Sequence, residues 1–115
     1  MKIFNLIAVF FITLFFAACN TYKPEITLVQ AVQTGDAKAV AYYLQQGENP
    51  NQTDYDEAPL IVIAAKSGYT PVVKLLIDAG ADVNLTNRFG NSALILATLE
   101  GHDETVNLLK QAGAE

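Results

Sequence analysis

Two apolar patterns divide the chain. From Ile3 to Ala18 only Asn5 and Thr13 interrupt a continuous hydrophobic run, and 15 of the first 18 residues are apolar. From Glu25 onward, apolar residues instead recur at helical spacing between polar loops. The sixteen residues of the first run would rise about 24 Å as a helix, short of the roughly 30 Å hydrocarbon core of a bilayer. With the cationic Met1-Lys2 start, the run therefore reads as an export signal and not as a membrane span.

The remainder repeats itself at an offset of 33 residues: Gly47, Gly80 and Gly113 keep this spacing, as do Gly35, Gly68 and Gly101, Ala31, Ala64 and Ala97, and Val40, Val73 and Val106. Such periodicity signals stacked supersecondary units, each burying its apolar face against its neighbours. Every copy predicts a pair of helices. In the second copy the first helix spans Pro59 to Lys66, with Ile61, Ala64 and Ala65 at i, i+3 and i+4. Gly68 closes it, and Thr70-Pro71 predicts a capping hydroxyl followed by Pro at the first helical position. Val72, Val73, Leu75, Leu76 and Ala79 line the second helix, which ends at Gly80. Asp36 and Asp103 are the expected caps of the corresponding helices in the first and third copies. The polar stretch from Ala81 to Gly90 suits a hairpin-like loop. Tyr42 and Tyr43 stand where Leu75 and Leu76 do, which predicts core or cap roles for them.

The run Val72-Val73-Lys74-Leu75-Leu76-Ile77-Asp78-Ala79-Gly80-Ala81-Asp82-Val83-Asn84 resembles the second helix and loop of the ankyrin repeat. The resemblance covers about Glu25 to Glu115, with repeats at about 25–54, 55–87 and 88–115. It implies an all-α solenoid of about three helix-turn-helix repeats joined by hairpin-like loops. The chain departs from the family pattern in two respects. The Thr-Pro-Leu-His start of the first helix appears as Pro59-Leu60-Ile61-Val62 and as Ser92-Ala93-Leu94-Ile95, which weakens the hydrogen-bond pair bracing neighbouring loops. Glu57 stands where a loop Gly is usual, predicting an irregular first hairpin and lower stability. Three copies are near the minimum for a stack. The ends look adapted to this: Lys110 and Gln111 replace Ile77 and Asp78, and the first copy places Gln30, Gln33, Thr34 and Lys38 among its core positions.

At the end of the export signal, Phe16-Ala17-Ala18-Cys19 resembles the bacterial lipobox. That resemblance implies that residues 1–18 leave as a lipoprotein signal peptide and that Cys19 becomes an acylated N-terminus. Several acyl chains together hold a membrane stably. Residues 19–24 then form a short linker ending at Pro24, and the five residues from Asn20 to Pro24 reach at most about 17 Å. Asn20, where Asp would favour the inner membrane, implies an outer-membrane location. The expectation is a lipid-anchored protein of the bacterial cell envelope, facing the periplasm.

Composition narrows the chemistry. Without Lys2, six Lys and Arg face 12 Asp and Glu, a net charge of −6. A surface of that sign repels phosphate, so nucleic-acid binding is not expected. One Cys permits no intramolecular disulfide, and one His with no Cys after Cys19 cannot build a His/Cys zinc site. His102 follows Gly101 and is expected to structure the turn between helices. Asp54, Asp56 and Glu57 lack the alternating ligands, Gly and terminal Glu of a calcium loop, and read as a solvated hairpin tip. Neither a phosphate-binding Gly loop nor a nucleophile elbow occurs. The reading is a non-enzymatic chain without cofactor, metal or small-molecule substrate.

Recognition of a protein partner remains. The ankyrin resemblance places the partner against the hairpin tips and the exposed side of the first helices. Those positions are Gln33, Thr34, Tyr55, Asp56, Ala58, Lys66, Ser67, Arg88, Phe89, Asn91, Leu99 and Glu100. Aromatic and Arg side chains dominate binding energy, which singles out Tyr55, Arg88 and Phe89 as anchors. Phe89 is either an exposed anchor or a ring folded onto its own hairpin, and Leu99, standing where a polar residue is expected, is either exposed or packed under the loop. The acidic balance favours a basic partner through electrostatic steering. A monomer is expected. Three biological readings stand open: a scaffold or accessory factor of the envelope, an immunity protein neutralising a periplasm-delivered toxin, and a structural wall-associated lipoprotein.

Overall fold

The computed structural model describes residues 22–115. The expected export signal 1–18, with Cys19 and Asn20, lies outside the described residues. Three helix pairs follow one another: α1 (Leu28–Thr34) with α2 (Ala37–Gln45), α3 (Leu60–Ser67) with α4 (Thr70–Asp78), and α5 (Ala93–Leu99) with α6 (Asp103–Gln111). Each helix has only seven to nine residues, too few to persist alone in water, so stacking carries them. The first helices α1, α3 and α5 pack side by side, the second helices α2, α4 and α6 form another layer, and each pair closes on itself. This is the expected all-α repeat architecture. Isolated backbone bridges at Thr53–Pro59 and Thr86–Ser92 fasten two hairpins that project from the first-helix layer.

The 33-residue columns are packing columns. Ala31, Ala64 and Ala97 are fully buried, and their small side chains let α1, α3 and α5 approach closely. Val40 and Val73 are buried, whereas Val106 is half-buried because no further repeat covers it among the described residues. The middle repeat contributes most of the core, including Leu60, Ile61, Val62, Val72, Val73 and Leu76.

A second interlock joins successive repeats. Tyr69 and His102 occupy equivalent positions, and each ring lies over the helix-closing Gly of the preceding repeat. A Cβ on Gly35 would stand 2.8 Å from the Tyr69 ring, and one on Gly68 would stand 2.6 Å from the His102 ring. Both glycines also have positive φ, 73° and 72°, so the position excludes side chains twice over. His102 Nε2 donates to the Lys66 carbonyl at 3.0 Å, tying the third repeat to the end of α3. The turn that His102 structures is thus the one before its own.

The caps depart from expectation in two places. Asp36 accepts from Ala39 N at 3.0 Å as the sequence predicts. Thr70, however, is the first residue of α4 and not its cap: Tyr69 takes the cap position without a side-chain hydrogen bond, and Pro71 moves to the second helical position. The Thr70 hydroxyl instead pairs with that of fully buried Thr105 at 2.8 Å, a bond between repeats that satisfies a buried polar group. Asp103 likewise lies inside α6, with His102 at the cap position, and its charge favours the positive helix end without bonding to it. The polar first-copy residues Gln30, Gln33, Thr34 and Lys38 are exposed and form part of the stack's outer surface. Thr27 and Gln30 form a reciprocal capping box at the start of α1.

Residues read as linker are partly structured. Tyr22 packs edge-to-face on Tyr42 with centroids 6.0 Å apart, and Tyr42 packs likewise on Tyr43 at 5.2 Å. Pro24 is buried, and the Tyr43 hydroxyl donates to the Ile26 and Pro24 carbonyls. Tyr42 and Tyr43 therefore cap the stack, holding the segment Tyr22–Ile26 as a strap across α2. Partial burial, followed by the nearby Asp36 and Tyr43, raises the Tyr22 hydroxyl above its ordinary pKa of 10.0.

Candidate functional site

The two hairpins share one backbone design. Asp54 N donates to Ala58 O at 3.0 Å, Glu57 N donates to Asp54 O at 3.1 Å, and Asn87 with Asn91 and Gly90 repeats both bonds at 3.0 Å. The Asp54 carboxylate accepts from the backbone N–H groups of Asp56 and Ala58, and the Asn87 amide oxygen accepts from those of Phe89 and Asn91. Asp54 thus organises its loop. The first hairpin is regular, contrary to the irregularity that Glu57 predicts, because Glu57 itself adopts the left-handed conformation at φ 62°. A non-Gly residue held there costs about 1–2 kcal/mol, and the loop's hydrogen bonds hold it in place.

These fixed tips display the anchors. Tyr55 is fully exposed, and Phe89 retains 73% of its surface, so its ring does not fold onto the hairpin. The Arg88 guanidinium lies 5.0 Å from the Phe89 ring centroid and 3.7 Å from the Asp56 carboxylate, bridging the two tips. Both partners of that ion pair are more than half exposed, so the pair contributes at most about 1 kcal/mol to stability. Its structural effect is to join the two tips, linking Asp56, next to Tyr55 in the chain, with Arg88 and Phe89.

Beneath the joined tips runs an open groove of about 360 Å³ between the second and third repeats, where Asp56, Lys66, Phe89 and Asn91 meet over Val62 and Ile63. A neighbouring groove of about 520 Å³ lies between α1 and the first hairpin, and Tyr55 and Gln33 line it. Ala58 and Ser67 line the first groove, while Thr34 is exposed at the end of α1. Leu99 and Glu100 are exposed at the end of α5 and line neither groove. Leu99 keeps 73% of its surface, so it does not pack under a loop.

Sequence reasoning missed Ile95, which is 43% exposed one turn before Leu99. The signal was available, since α5 reads Ala93-Leu94-Ile95-Leu96-Ala97-Thr98-Leu99 with no charged residue, where α3 carries Lys66. Val62, the residue equivalent to Ile95, is buried by the third repeat. Also missed was the role of the Asn51 and Asn84 column, whose side chains accept from Asp82 N at 2.8 Å and Glu115 N at 3.0 Å and so link one loop to the next.

No group of three or more His, Cys, Asp or Glu suited to a metal ion occurs among the described residues. The site offers exposed aromatic, cationic and acidic groups on hydrogen-bonded tips over open grooves, which is chemistry for binding a surface. No curated protein matches the chain. A family model described as ankyrin repeats matches in 3 copies over residues 28–115.

Proposed function

We propose that this chain, which belongs to the ankyrin-repeat family, uses the Tyr55–Phe89 edge to hold a protein partner at a bacterial membrane. The family match makes it a protein–protein interaction module, and ankyrin-repeat proteins are generally non-enzymatic. The observation that carries the finer reading is the Asp56–Arg88 bridge between two hydrogen-bonded tips that expose Tyr55 and Phe89. Loop backbones held in place before binding lose little conformational entropy on contact. The lipobox-like Phe16-Ala17-Ala18-Cys19 supports a lipid tether at Cys19 and a place in the cell envelope, at the outer membrane facing the periplasm. In this reading the protein is a monomeric scaffold or accessory factor.

One observation favours the toxin-immunity reading as a second: Asp54, Asp56 and Glu57 cluster at the first tip of an acidic chain, a surface suited to steering a basic protein. Affinity capture of the tagged full chain from crosslinked cells tests both, comparing wild type with the Tyr55→Ala/Arg88→Ala/Phe89→Ala form. One dominant partner lost in the triple variant supports recognition by this edge, and a basic toxin as that partner selects the immunity role. The same diffuse background from both forms would sink the assignment of the binding edge.

A further inference from the structure

We propose that the N-terminal end of the stack, built by Tyr22, Lys23, Lys38 and Tyr42, is a lipid-facing surface that rests in the headgroup layer of the membrane. This inference depends on the anchor at Cys19. The chain before the described residues sets the geometry: the apolar run ends at Ala18, and three residue steps separate Cys19 from Tyr22, at most about 11 Å of extended chain. Beyond Tyr22 there is no slack. Tyr22 is packed on Tyr42, Pro24 is buried, and the Tyr43 hydroxyl holds the strap through two carbonyls. An anchor at Cys19 therefore fixes the first repeat beside the bilayer. Packed helices lie about 8–10 Å apart, so the third repeat stands up to about 20 Å further from that point.

The chemistry of the end suits a headgroup layer. Tyr rings are amphipathic and favour the boundary between apolar and aqueous phases. Lys38 Nζ lies 4.1 Å from the Tyr22 ring centroid, and a Lys stem follows apolar surface while its ammonium reaches phosphate. Glu25 and Asp36 offset the charge of Lys23 and Lys38, so the contact relies on the interfacial rings and on tethering, without recruitment by anionic lipid. The residues of this contact belong to the strap and α2, whereas Tyr55 and Phe89 belong to the two hairpins.

The chain contains no Trp, so a single Trp reports its own depth. The full chain, extracted from cell membranes and reconstituted in phosphatidylcholine vesicles with brominated acyl chains, is compared as Tyr42→Trp and Leu99→Trp variants. Tyr22→Trp provides a second reporter should Tyr42→Trp fail to fold. The proposal predicts several-fold stronger quenching and a bluer emission for Tyr42→Trp than for Leu99→Trp. Equal quenching, or stronger quenching for Leu99→Trp, in protein that floats with the vesicles overturns the lipid-facing end while leaving the anchor intact. Protein that does not float overturns the anchor, and the orientation with it.

Discussion

Replacing Glu57 by Gly tests how the first hairpin is held. Glu57 and Gly90 occupy the same loop position, with φ of 62° and 79°, and both donate their N–H across the turn. Only one of them suits that conformation. The left-handed backbone costs a residue with a Cβ about 1–2 kcal/mol, while the greater freedom of Gly in the unfolded chain offsets about 0.4–1 kcal/mol of any gain. The two ion pairs among the described residues, Lys74–Asp78 and Arg88–Asp56, do not involve Glu57, so its removal breaks neither. Glu57→Gly should stabilise the fold by about 0.5–1 kcal/mol, a rise of about 2–8 °C in Tm for a domain of this size. Gly90→Glu should cost a similar amount. The space at Gly90 is open, with nothing within 4 Å of an added Cβ, so that cost comes from the backbone alone. Equilibrium urea unfolding followed by far-UV circular dichroism measures both variants. A lower midpoint for Glu57→Gly, or an unchanged one for Gly90→Glu, would refute the strain argument.

The ring-over-glycine interlock separates two further glycines. Gly68→Ala should lose about 2–4 kcal/mol from overpacking and backbone strain, whereas Gly101→Ala, with φ 77° and nothing within 4 Å, should lose only about 1 kcal/mol; equal losses by urea unfolding would remove the His102 ring from the explanation. Thr105→Val leaves the Thr70 hydroxyl without its partner between repeats and should cost about 1–2 kcal/mol. Adding Thr70→Val should recover part of that loss, and a strictly additive double variant would show that the two hydroxyls are uncoupled. Arg88→Ala should change thermal stability by less than about 1 kcal/mol yet weaken capture of the protein partner. A large fall in Tm would instead make the Asp56–Arg88 bridge structural.

Repeat architecture was legible because four columns at one spacing record the same packing problem solved three times. The small Ala31, Ala64 and Ala97 and the helix-closing glycines carry that record directly. The caps of α4 and α6 were not legible, since Thr70 and Asp103 are good capping types in the right neighbourhood and only tertiary context moves them one residue inside. Thr70 has a buried partner 35 positions away in Thr105, which local sequence rules do not see. The hairpin tips were placed correctly and their regularity was not, because Asp54 supplies two side-chain bonds that hold Glu57 in a conformation its own type disfavours. Tyr22–Pro24, the part of the strap that reads as linker, is illegible for a related reason: a short polar segment ending in Pro carries no period, and its order comes from Tyr42 and Tyr43. Register against the repeat puts Tyr55 at a hairpin tip, but it leaves Phe89 and Leu99 open, and only the folded chain shows both exposed. The open side of Ile95 is likewise not given by register, because it depends on what covers the third repeat.

The central claim is that one edge of the stack, and not its opposite layer, meets a protein. Site-specific photocrosslinking in living cells tests it most directly, with a benzophenone amino acid placed in the full chain at Tyr55, at Phe89 or at Asn107 on the exposed side of α6. The account predicts one discrete protein adduct of the same mass shift from positions 55 and 89, and none from 107. Adducts from 107 alone, or the same adducts from all three positions, would contradict it.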